Sequence, residues 1–178
     1  RRVLGEATAL HAQAAFWRGA IREALETADA ALARLSPGTS GWFGAASLAI
    51  TAAGQIGDHA AVWRIADAVV ATAPRDDDAR ERRVIAACRA LSQLAETTEQ
   101  ARPLEAVAQE LTLDALGPEA RAWRHRAAIA TGARRGFDPA IATIVAAHQA
   151  HVEHRDLRSG ALMGIYLCSY YVWSGGWE

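Results

Sequence analysis

His148, His151 and His154 recur at every third position, with Glu153 among them. On a helix this spacing spreads the imidazoles over roughly 120° of one side, so that two can share a metal ion. Structural zinc takes four ligands, and no cysteine pair accompanies these residues. Imidazoles near a helix C-terminus also complement the helix dipole, which explains them without a metal. Asp77-Asp78-Ala79-Arg80-Glu81 offers carboxylates of the kind that hold magnesium. Acidic residues are equally what a helix N-terminus attracts. There is no Ser-His-Asp order and no dinucleotide glycine pattern, and Gly38-Thr39-Ser40-Gly41 lacks the lysine of a phosphate-binding loop. No catalytic residue, metal site or cofactor is therefore expected, and the residues left to account for are those suited to binding.

The chain has 178 residues, enough for one domain, and 51% of them are hydrophobic. Alanine supplies most of that fraction, which favours closely packed helices, and β-branched runs are absent. All 19 basic residues are arginine, against 20 acidic residues, for a net charge of −1. No single-sign field exists to steer the domain onto nucleic acid or an anionic membrane. The lack of lysine and asparagine, whose codons are AT-rich, suits a GC-rich bacterial genome. Cys88 and Cys168 lie far apart inside apolar helical patterns and read as free thiols of a reducing cytoplasm. Leu35–Gly57 and Ser159–Trp177 carry no charge, but glycine, serine and proline interrupt them, and neither is expected to span a membrane. No signal peptide is visible.

The elements that position these residues follow a ruler. Gly19, Gly57, Gly136 and Gly175 are spaced by 38, 79 and 39 residues, and the mark missing from the middle falls at Glu96-Thr97. A fixed period of roughly 20–50 residues is the signature of a repeat protein, whose units bury their apolar faces only by stacking. Each mark separates two helical patterns. The spacing predicts Val3–Trp17 with Ile21–Leu35, Ser40–Gln55 with His59–Ala73, Ala79–Ala95 with Glu99–Leu113, and Glu119–Arg134 with a helix opened by Asp138-Pro139. A ninth helix, capped by Asp156, runs to Trp173. Gly175-Gly176 then reads as the turn before a tenth, as in a piece of a longer protein.

The hairpin Gly19-Ala20-Ile21-Arg22-Glu23-Ala24-Leu25, followed by Ala31-Leu32 and Pro37, resembles the tetratricopeptide repeat. So does Tyr170-Tyr171-Val172-Trp173-Ser174-Gly175-Gly176-Trp177-Glu178, while the other hairpins match only in part. The period is nearer 39 than the usual number of about 34. Longer units of this kind are similar to the degenerate repeats attached to bacterial serine/threonine kinases and signal-transduction ATPases. The resemblance implies an all-α, right-handed superhelix of about nine antiparallel helices spanning residues 1–178, a TPR-like solenoid. It also implies a non-catalytic cytoplasmic sensor or scaffold that binds a protein or peptide. First helices line the groove in such repeats. Counting back from the turns, the expected groove residues are Trp17, Gln55, Arg126, Arg134 and Trp173, with Gln13, Thr51 and Ser169 beside them. Aromatic and arginine side chains suit this role, being enriched at the energetic centres of interfaces. Each indole alternatively fills a gap between small helices, the reading favoured for Trp63. Arg80, Glu81, Arg82 and Arg83, and Arg121, Arg124 and Arg126, read as solvated faces, or as a site for an acidic peptide or phosphorylated segment. Leu162, Ile165, Tyr166 and Val172 are expected to form an exposed patch that invites self-association. Two alternatives remain: a helical metal-dependent enzyme fragment, for which the Asp77–Glu81 cluster resembles the magnesium motif of terpene synthases, and a structural spacer.

Overall fold

The computed structural model describes residues 2–94, 99–132, 137–155 and 157–174, and is all-α among them. Among the described residues nine α-helices follow in order: α1 (Arg2–Trp17), α2 (Ile21–Leu32), α3 (Ser40–Gln55), α4 (His59–Ala71), α5 (Asp77–Gln93), α6 (Arg102–Ala108), α7 (Pro118–Gly132), α8 (Phe137–Glu153) and α9 (Leu157–Ser174). No helix among the described residues is long and apolar enough to cross a membrane.

The turns obey local chemistry. At the end of α1 the Gly19 amide donates to Phe16 O and the Ala20 amide to Ala15 O; at the end of α3 Gly57 donates to Gly54 O and Asp58 to Ala53 O. This paired closure needs a left-handed residue, supplied by Gly19 at φ 81° and Gly57 at φ 76°. α3, α4 and α5 start on side-chain caps, whereas α2, entered at Ala20, has none. The Thr39 hydroxyl accepts from Trp42 N, Asp58 from Ala61 N and Asp76 from Ala79 N. Asp76 thus takes the capping role read for the acidic cluster, and Asp77 pairs with Arg80 at 2.9 Å. The marks at Glu96-Thr97, Gly136 and Gly175, the cap at Asp156 and the residue Arg134 lie outside the described residues.

One helix differs from expectation. The pattern over Glu99–Leu113 folds as a 3-10 turn, Glu99–Ala101, and the short α6, followed by a second 3-10 turn at Leu113–Ala115. Tertiary bonds compete with the backbone there. Arg83 draws the Glu110 carboxylate to 2.5 Å, and Arg124 donates to the Leu111 carbonyl, an oxygen that a continuing helix would use internally.

Sequence neighbours pack as pairs, and α1, α3, α5 and α7 also pack on one another in succession. The core between them is built largely of alanine, with Phe43, Ile50, Ile65, Leu104 and Val84 filling the wider gaps. Small side chains let the odd-numbered helices lie close, and their remaining face is left to line a groove.

Candidate functional site

That face encloses a groove of about 1040 Å³. Its floor is Leu48, Thr51 and Gln55 from α3, Arg82, Arg89 and Gln93 from α5, and Glu119, Trp123 and Arg126 from α7. Within each helix these residues are three, four or seven apart, which places them on one side. Gln13, Phe16 and Trp17 of α1 form one wall, and Leu157, Ala161 and Ile165 of α9 the other. A smaller hollow of about 460 Å³ shares Gln13, Leu48, Arg82, Arg89 and Glu119 and extends the floor toward Glu6, Leu10 and Gly44.

Equivalent positions recur along the groove. Thr51 and Arg89 are 38 residues apart and hydrogen-bonded, the Arg89 Nη1 donating to Thr51 Oγ1 at 3.3 Å. Gln13 lies the same step before Thr51, and Arg126 one residue short of a step after Arg89. Trp17, Gln55 and Gln93 form a parallel series. Glu6, Gly44, Arg82 and Glu119 form a third.

The charged centre is organised around Glu119. Its carboxylate meets Arg82 Nη1 at 2.8 Å and Arg89 Nη2 at 3.5 Å, with His154 Nε2 at 4.0 Å. The Arg89 guanidinium also lies over the Trp123 ring, 4.2 Å from its centroid, and Arg126 lies 4.9 Å from the same centroid. Such stacking holds guanidinium groups in fixed orientations. Trp123 itself is 5% exposed and packs edge-on against the buried His151 ring, at 5.8 Å.

Of the five expected groove residues, Trp17, Gln55 and Arg126 line this one cavity, as do Gln13 and Thr51. Trp17 is 59% exposed and so is not a gap filler. Trp63 is partly buried against the core. Trp173 lies on α9, but its side chain, like those of Ser169, Leu162 and Val172, is outside the described residues, as is Arg134 altogether. Ile165 and Tyr166 are exposed on α9, and Ile165 faces the groove. Arg82, Arg89, Trp123 and Glu119 were not singled out from the sequence as groove residues. The signal was present: adding the Gly19-to-Gly57 step to Thr51 and Gln55 reaches Arg89 and Gln93, but α5 ends without a turn glycine to count back from.

The other candidate clusters disperse. His148 Nδ1 lies 2.9 Å from the Gly160 carbonyl, His151 packs on Trp123, and His154 meets Glu119. Glu81 accepts the Gly117 amide at 2.7 Å, at the start of α7. Among the described residues no three His, Cys, Asp or Glu side chains converge as metal ligands. Burial pushes the Cys88 thiol up to about 12, against a smaller opposing pull from Arg124. Burial first, then Arg124 and Arg121, holds the His125 imidazole below its ordinary value of 6.5. No protein-family model matches this chain, no curated protein is detectably similar to it, and no solved structure matches it.

Proposed function

We propose that the chain is a TPR-like right-handed solenoid whose groove captures a protein or peptide segment, serving as a non-catalytic sensor or scaffold module of a larger bacterial signalling protein. The observation that carries this reading is the recurrence of groove positions at one step, Gln13–Thr51–Arg89 and Trp17–Gln55–Gln93, on helices packed in succession. A surface repeated along a helical row is the binding geometry of stacked-repeat proteins. The volume of about 1040 Å³ lies at the upper end for a small-molecule site, and the adjoining hollow lengthens it, which suits a chain segment. An exposed tryptophan on a rigid helix supplies contact area at low ordering cost.

Panning a random dodecapeptide library against the folded domain tests the reading. Binders are expected, and Trp17→Ala or Arg126→Ala should abolish their binding while helicity and Tm are retained. Recovery of no peptide, or binders indifferent to both substitutions, would rule the groove out as the capture surface.

A further inference from the structure

We infer that the captured segment is acidic, and that Glu119 is a built-in competitor for the arginines that receive its carboxylates. The inference rests on the peptide-capture reading above and specifies its ligand.

Among the described residues the groove carries Arg82, Arg89, Arg126 and Arg155 with Glu119, and Glu6 lies in the adjoining hollow, although the whole chain is slightly acidic. The charge is therefore concentrated where the helices converge. Arg89 is 19% exposed and lies over Trp123, so its orientation is fixed before any ligand arrives. Fixed guanidinium groups bind carboxylates with little further loss of freedom.

Glu119 indicates the ligand chemistry. Its two oxygens are divided between Arg82 and Arg89, and the Arg89 contact, at 3.5 Å, is at the outer limit of a hydrogen bond. The carboxylate is also 25% exposed. Glu119 is thus held at full hydrogen-bond length by Arg82 but only weakly by Arg89. An incoming carboxylate can displace it from Arg89 without stranding a buried charge, since Glu119 stays paired with Arg82. Exposed Trp17 of α1 and Ile165 of α9 line the same groove as these charges. The matching segment thus places Asp or Glu on the floor and apolar side chains toward the walls. The apolar side chains of the groove, and the absence of a continuous basic stripe among the described residues, favour a peptide over a nucleic acid strand.

The composition of the panned peptides, and their affinity for two variants, test the inference. Recovered sequences should be enriched in Asp or Glu beside apolar residues, and their binding should weaken with added salt. Glu119→Gln keeps the side-chain shape and removes the competing charge, so acidic binders should tighten several-fold. A residue that merely buttressed the groove would lose affinity on the same change. Arg155→Gln, at an exposed position outside the Glu119 bridge, should weaken the same peptides several-fold and serves if Glu119→Gln misfolds. Neutral or basic peptides confined to the groove would overturn the inference and leave peptide capture standing. So would acidic binders unmoved by folded Glu119→Gln. Recovery of no peptide overturns both.

Discussion

The two thiols divide by environment. Cys88 is buried inside α5, and burial raises its thiol to about 12, so almost no thiolate forms at neutral pH. Cys168 is exposed on α9. Titration with an aromatic disulfide reagent at neutral pH should therefore consume one thiol promptly in the native protein, and the second only after denaturant is added. His125 makes a second residue-scale prediction. Its native value is depressed, so the unfolded chain binds more protons at mildly acid pH. Stability should be present above pH 6.5 and fall as pH drops from there toward the lower native value. Denaturant midpoints measured across that window should show a shallower slope in His125→Gln, which cannot take up the proton.

Helix ends and junctions make element-scale predictions. Arg83 is 11% exposed and braces α4 against α5. Its Nε donates to the Val69 carbonyl at 3.1 Å and its Nη2 to the Val70 carbonyl at 2.7 Å, while Nη1 holds Glu110. Arg83→Ala leaves two partly buried carbonyls and a carboxylate without this donor and should cost about 2–3 kcal/mol by urea unfolding. At the end of α8 the left-handed position that glycine fills at Gly19 and Gly57 is held by Arg155, at φ 61°. A side chain there costs about 1 kcal/mol, so Arg155→Gly should raise stability by a similar amount. Because Arg155 lines the groove, the same change should weaken acidic ligands, separating stability from binding in one variant. These junctions also mark what the sequence made legible. Gly19, Gly57 and Asp76 declare their roles because the conformation or cap is local. The junction roles of Arg83 and Glu81 are not readable from their charge-rich surroundings. Their partners lie 13 or more positions away, at Val70 and Gly117, and only packing brings them near. The shortness of α6 has the same origin, because Arg83 and Arg124 hold Glu110 and Leu111 from distant positions.

At the scale of the molecule, groove-lining side chains recur at one spacing, Gln13, Thr51 and Arg89 in one row and Trp17, Gln55 and Gln93 in another. Trp17, Gln55 and Arg126 were reached by counting from turn glycines, and all three line one cavity. The count missed the charged centre because α5 ends without such a glycine, and no local pattern says that Arg82, Arg89 and Glu119 meet. The indoles give the most direct test of whether this cavity is the working surface. Trp17 stands on its wall and Trp123 on its floor, whereas Trp42 pairs with Phe43 in the core and Trp63 packs at its edge. Titrating an acidic peptide selected by panning into protein labelled at the indole nitrogens, and following the assigned resonances by NMR, should shift Trp17 and Trp123 and leave Trp42 and Trp63 in place. Shifts confined to Trp42 or Trp63, or saturation of the peptide with Trp17 and Trp123 unmoved, would contradict the account.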